Sequence, residues 1–244
     1  MTRLVLALLL VLVALQPAAA FEPVLMKESF GGDVNMGTPC LLSGSTNGTA
    51  ANYRWYNLCS GYIWLFNRWN SGEAAGVRFG GPENPSIIPG NTVKRVITYF
   101  RDIVIGYGNC QGGDVEVALD ADYESDGCPD QMLASTGCIE PAMRWNCADF
   151  NVVIPAGTSS IIVRQIKRGW MWEPAFVTDG PYSAECDPVG VQRTFYYGIN
   201  GSACVPWSSQ TGRNDNLLTW IIVDGDLPNA ASPASWGKVK SLFK

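Results

Sequence analysis

Between Tyr62 and Val223 the chain is cut into short runs rich in β-branched and aromatic residues, each closed by Gly, Pro, Asn or Asp. That punctuation favours antiparallel sheet over any other architecture. The runs are Tyr62 to Phe66, Val77 to Phe79, Thr92 to Ile105, Val115 to Leu119, Phe150 to Ile154, Ser160 to Ile166, Thr194 to Ile199 and Leu217 to Val223. Between them stand Gly80-Gly81-Pro82, Pro89-Gly90-Asn91, Pro155-Ala156-Gly157 and Asp179-Gly180-Pro181. Val115, Val117 and Leu119 alternate with Glu116 and Ala118, the period of two expected where one sheet face is wet. Leu217 to Val223 is apolar on both parities except at Thr219, which predicts a central strand. With almost no helical periodicity, the expected fold is all-β, a two-sheet antiparallel β-sandwich of jelly-roll-like form.

The start of the chain has the three parts of a secretory signal: a basic residue at Arg3, an apolar run from Leu4 to Leu15, and Ala18-Ala19-Ala20. The apolar run is shorter than the roughly 20 residues a bilayer span needs, so residues 1–20 are expected to be a signal peptide cleaved after Ala20. No later stretch is long and apolar enough to span. The mature protein is therefore expected outside the membrane, secreted or at the cell surface. Residues 21–60 are turn-rich and read as an irregular N-terminal segment, 61–226 as the sandwich, and 227–244 as a linker and short tail. In the tail, Trp236, Val239 and Phe243 share one helical face, consistent with a frayed end, a docked helix or a short address element.

Eight cysteines, Cys40, Cys59, Cys110, Cys128, Cys138, Cys147, Cys186 and Cys204, all follow the signal. An even number in an exported chain implies disulfides. A zinc site is the competing reading, but no pair has C-x-x-C spacing and there is no histidine to complete a mixed site. Local closure suggests Cys40 with Cys59 and Cys186 with Cys204, leaving the middle four unsorted.

The order Tyr62-Ile63-Trp64, Gly76 to Phe79, Val93 to Phe100, Val115 to Leu119, Asp126-Gly127-Cys128-Pro129, Trp145-Asn146-Cys147, Tyr196-Tyr197 and Trp220 to Asp224 resembles a jelly-roll-like domain of secreted bacterial proteins of unassigned function. The ending Ser235 to Lys244 is similar to short Trp-Gly-containing tails on exported bacterial proteins. The resemblance implies fold and export, and no activity.

The lack of histidine removes Ser-His-Asp and Cys-His nucleophilic machinery and histidine acid–base work together. Hydrolysis would have to rest on carboxylates. The sharpest motif is Asp120-Ala-Asp122-Tyr-Glu124-Ser-Asp126-Gly127, since alternating acids before a glycine can wrap a calcium ion with hard oxygens. The twelfth position of a helix-loop-helix calcium loop is not met, however, and an acidic hairpin turn closed by Cys128 accounts for the same letters. Trp170, Trp172, Tyr182 and Trp207 lie in loop-like stretches, where their rings could stack on a sugar or plug the ends of the core. Asn47-Gly48-Thr49 and Asn200-Gly201-Ser202 fit glycosylation acceptors.

The formal charge of −5 comes with no basic cluster, which argues against nucleic acid and anionic lipid as partners. The leading expectation is a secreted, non-catalytic binding module whose ligand is a carbohydrate or cell-surface component. A structural or cell-surface interaction protein is the alternative, and a carboxylate-based hydrolase the third reading. No cofactor is expected other than calcium at the acidic motif.

Overall fold

The computed structural model describes residues 24–27 (backbone only), 51–56, 61–66, 69–81, 83–101, 115–142, 144–169, 174–179 and 193–225. The signal peptide, the linker and tail, Trp170, Trp172, Tyr182, Cys40, Cys59, Cys110 and Cys186 lie outside the described residues.

The strands are β1 (Val24–Lys27), β2 (Ala51–Arg54), β3 (Tyr62–Phe66), β4 (Ala74–Gly80), β5 (Thr92–Tyr99), β6 (Val115–Asp122), β7 (Gln131–Ile139), β8 (Trp145–Val153), β9 (Ser160–Lys167), β10 (Phe176–Thr178), β11 (Thr194–Tyr197), β12 (Cys204–Pro206) and β13 (Thr219–Asp224). A short α-helix, α1, runs Trp207–Thr211. A six-stranded sheet has the order β12-β11-β4-β9-β6-β7, and a four-stranded sheet the order β2-β13-β5-β8. All pairs are antiparallel. The all-β expectation therefore holds, and β13 is an interior strand as its two-sided apolar pattern predicted.

Alternation explains how the two large sheets meet. Val77 and Phe79 on β4, Val115, Val117 and Leu119 on β6, and Ile161 and Val163 on β9 point to one side. They share a buried cluster with Val93 and Val96 on β5 and Ile221 and Val223 on β13. That cluster is the filling of the sandwich. At one end Trp69 and Trp207 stack with ring centroids 5.5 Å apart, and Phe66, Phe176 and Tyr196 close around them. Trp207 opens α1 and is fully buried. The structure thus corrects the expectation of a rim platform at this residue, because a ring with no exposed surface offers no face to a sugar.

Other departures have physical causes. Beside the two large sheets, the described residues include a small third one, β1-β3-β10, tied to the four-stranded sheet by the bridges Arg101↔Ala175 and Thr178↔Leu217. Ile63, Leu65 and Val177 of that small sheet cluster with Ile97, Trp220 and Ile222 on the side of the four-stranded sheet away from the main core. The segment read as irregular, 21–60, contributes β1 and β2, which gain their order by pairing with β3 and β13. Strand β7 was missed because Gln131 to Ile139 carries no apolar alternation; it is recruited as a sheet edge by its hairpin with β6. The run from Thr92 is a strand only to Tyr99.

Strand β6 is not half-wet. Ala118, Asp120 and Asp122, on the face opposite its core valines, are buried, and only Glu116 is partly exposed. On that same face Phe195 and Tyr197 of β11, with Ala74, Ala118, Ile162 and Ile166, make a further apolar cluster.

Two expectations follow. Trp207→Ala should lower the stability by about 3–5 kcal/mol, since truncating a buried ring leaves a cavity, whereas loss of a rim ring would cost almost nothing; denaturant unfolding of the variant decides it. Asp215, just before β13, is buried and accepts only a long 3.4 Å hydrogen bond from the Thr178 hydroxyl. Burial pushes its carboxyl up from the ordinary 3.8 to about 6, against the pull of Arg213 and Thr178. The folded state then keeps a proton that the unfolded chain gives up, so this group favours folding below about pH 4 and the advantage disappears as pH rises through about 6. In unfolding curves from pH 4 to 7, Asp215→Asn should gain on the native protein by up to about 3 kcal/mol.

Candidate functional site

The outer face of the six-stranded sheet carries charge where a strand of this composition would ordinarily be apolar. On β9, Arg164 interrupts Ile161-Ile162-Val163 and Gln165-Ile166, and its parity places it on the face away from the core. On the neighbouring β6, Ala118 is its register partner and Asp120 lies two residues on. The guanidinium reaches Asp120 side-on: Nε donates to Oδ2 and Nη2 to Oδ1, each at 2.7 Å. The Asp120 side chain is fully buried and that of Arg164 is 13 % exposed. Burial pushes the Asp120 carboxyl up and Arg164 pulls it part of the way back. Such bidentate, charge-assisted pairs fix geometry as well as charge. A second pair, Arg168 with Glu116 at 2.6 Å, continues the row. Tyr197 lies under the guanidinium at 5.8 Å and donates its hydroxyl to the Gly127 carbonyl at 2.8 Å. Burial holds the Tyr197 phenol well above its ordinary value, so it remains a donor.

The acidic motif turns out to build the loop that covers this face. Asp122 Oδ1 accepts from the Ser125 N–H at 2.5 Å, and its Oδ2 accepts from the Gly127 N–H at 3.1 Å and the Ser160 hydroxyl at 2.6 Å. Asp126 Oδ1 accepts from the Cys128 N–H at 2.8 Å. These are the local carboxylate-to-backbone bonds by which Asp shapes turns. Gly127 has φ +88°, and a Cβ there would lie 2.2 Å from the Phe195 ring, so the loop lies flat on β11 only because this residue has no side chain. Arg78 Nη1 donates to the Ser125 carbonyl from below. Glu124 remains exposed. Of the four acids expected to wrap calcium, Asp120 thus serves Arg164, Asp122 and Asp126 serve the loop backbone, and Glu124 faces solvent. Among the described residues no group of three or more acidic or cysteine side chains is placed to hold a metal ion.

The loop ends at a staple. Cys128 is bonded to Cys204 on β12, with Cα atoms 5.8 Å apart and a sequence separation of 76. This corrects the expected Cys186–Cys204 closure: the sheet brings β12 beside the β6–β7 loop, whereas sequence proximity favoured Cys186. Cys138 and Cys147 are also disulfide-bonded.

Between the loop and the turn after β11 lies an open cleft of about 370 Å³. Its lining includes the buried Asp120 and Tyr197 and the partly exposed Arg164 side chain. One wall is Cys128 to Met132, and the other Asn200, Gly201, Ala203 and Cys204, so the disulfide joins the two. Met132 is 50 % exposed at the rim. Asp130 Oδ2 accepts from the Tyr123 N–H at 2.6 Å, and Gln131 Oε1 from the Tyr123 hydroxyl at 2.6 Å. Asn200, one of the glycosylation-type asparagines, sits on the wall in a left-handed conformation, φ 54°.

Of the described residues expected to bind a ligand or a metal, Asp120 lines this cleft. Arg164 and Met132 were not singled out, Tyr197 was read only as part of a strand and Asn200 only as a glycosylation acceptor; the available signal was the lone arginine inside the apolar β9 run.

No protein-family model matches the chain, and no curated protein is similar to it in sequence. Among solved structures, it is similar to the crystal structure of the cysteine protease and lectin-like domains of Cwp84, a surface layer associated protein of Clostridium difficile. The identity is 14 % and the TM-score 0.48, over 74 % of this chain and 37 % of that one. No residue role is carried across. The class of the protein rests on its own strands: an all-β fold of antiparallel sheets with a disulfide-walled cleft on one outer face. Among the described residues no helix is long and apolar enough to cross a membrane.

The buried pair yields a stability prediction. Arg164→Met should cost about 3–5 kcal/mol by leaving a buried carboxylate alone, and Asp120→Asn added to it should restore part of that loss. Chemical denaturation of the single and double variants measures both.

Proposed function

We propose that the chain is an exported, non-catalytic β-sandwich module that binds a carbohydrate of a cell surface or its surroundings in the cleft over Asp120 and Arg164. The observation that carries this reading is the cleft itself. Its volume falls within the ~300–1,000 Å³ typical of small-molecule sites. Its lining offers donors and acceptors in fixed positions beside one exposed apolar side chain, Met132, as a sugar ring with a hydroxylated edge and an apolar face requires. The walls are held before any ligand arrives, by the Cys128–Cys204 bond and the Asp122 carboxylate, and a site already in its bound shape loses less entropy on binding. Export, read from the N-terminal sequence, is consistent with a chain that keeps its cysteines oxidised.

The test is a glycan panel read by calorimetry or ligand-detected NMR on the mature protein. Met132→Ala and Gln131→Ala, both at exposed positions, should weaken binding of any glycan found by about tenfold or more, equivalent to at least about 1.4 kcal/mol, with unchanged melting. No binding by any glycan at millimolar concentration would defeat the reading. Cleavage of a bound glycan would replace it with the carboxylate hydrolase.

A further inference from the structure

Building on the carbohydrate reading of the cleft, we infer that the site selects an uncharged sugar, held through a hydroxyl or N-acetyl carbonyl oxygen on Arg164, and discriminates against uronic and sialic acids. The argument begins with the donors of that guanidinium. Asp120 takes the Nε hydrogen and one Nη2 hydrogen. Both Nη1 hydrogens and the second on Nη2 have no hydrogen-bond partner among the described residues, and the side chain faces the cleft, 13 % exposed. A ligand oxygen reaching the floor therefore meets an N–H donor with no competing protein acceptor.

A bare guanidinium would favour a carboxylate, and bidentate pairing is the usual reason for arginine in acid-binding sites. Here that preference is already satisfied. Arg164 is the one basic side chain among the described lining residues, and its charge is neutralised by a buried aspartate. Asp130 at the rim adds an exposed negative charge. Around them, Glu116 is matched by Arg168, and Asp122 is held by backbone N–H and hydroxyl donors. An incoming carboxylate would compete with Asp120 for one cation in a poorly solvated place and leave the cluster with an unmatched negative charge. A neutral oxygen accepts the same hydrogen bonds without that cost. At the rim, Asp130 Oδ1, with no hydrogen-bond partner among the described residues, and the Gln131 amide N–H₂ complete the set with an acceptor and a donor suited to hydroxyl groups.

The experiment compares matched neutral and acidic sugars, glucose- and N-acetylglucosamine-containing oligosaccharides against their glucuronate and sialylated counterparts, by calorimetric titration of the mature protein and of Asp130→Asn. A neutral sugar should bind at least tenfold more tightly than its acidic match, and Asp130→Asn should narrow the ratio by strengthening the acidic one. Because Asp130 is exposed, the variant is expected to fold normally. Arg164→Lys, which keeps the charge beside Asp120 but loses the free fork, should abolish neutral binding; retained melting shows that the fold survived. Acidic sugars binding as tightly as neutral ones, or a ratio that Asp130→Asn leaves unchanged, overturns the inference while leaving carbohydrate binding intact. Failure of both sugar classes to bind takes down the carbohydrate reading itself.

Discussion

The carboxylate of Asp122 organises the half of the molecule that faces outward. It lies at the end of β6 with no exposure, and it gathers two loop N–H groups and the Ser160 hydroxyl. Those bonds curl residues 123–128 over the six-stranded sheet, bring Gly127 against Phe195, and present Cys128 to Cys204. Without that fold-back, Ala118, Ile162 and Phe195 would form an open apolar face, and the cleft would lose one of its walls. A buried carboxylate is costly unless its lone pairs are filled, and here the loop backbone fills them. The energetic requirement of one side chain and the shape of the site are in this sense the same fact.

The disulfide acts on the same element from its far end. A bridge closing a 76-residue separation is expected to contribute about 4 kcal/mol by restricting the unfolded chain. Its placement also limits how far the loop and β12 can separate. Asp122, Gly127 and Cys128 thus form a short cooperative set within seven residues, and Arg78 and Tyr197 add hydrogen bonds to the loop carbonyls from the sheet below. Arg164 and Asp120 lie beneath this cover, where low exposure makes their pairing both strong and costly to break.

The two large sheets are unequal in what they do. In the middle of the four-stranded sheet, Val96 and Ile221 turn to the main core and Ile97 and Trp220 to the small sheet, so β5 and β13 serve packing on both faces. The six-stranded sheet has a core face of valine, isoleucine and phenylalanine and an outer face on which the Arg164–Asp120 and Arg168–Glu116 pairs sit among Ile162, Ile166, Phe195 and Tyr197. The cleft opens on that outer face. The tryptophans are distributed accordingly, with Trp69 and Trp207 stacked in the core end where large rings fill volume.

Sequence by itself determined the strands that carry their own signal. Runs such as Tyr62 to Phe66, Ser160 to Ile166 and Leu217 to Val223 are apolar and β-branched enough to be buried wherever they fall, and the Gly, Pro and Asn clusters between them end each one. Their all-β, antiparallel outcome follows from local chemistry. The edge strands β1, β2, β7 and β12 were decided by tertiary structure, because pairing with a stronger neighbour supplies the order that their own residues lack. The same holds for the site. A run of alternating acids looks like a cation loop when read along the chain, since spacing records which carboxylates are near one another but not which donors lie across the sheet. Arg164 is 44 residues from Asp120 and Cys204 is 76 from Cys128. Only the register of β9 on β6, and the return of β11 and β12 to the far edge, brought those partners together.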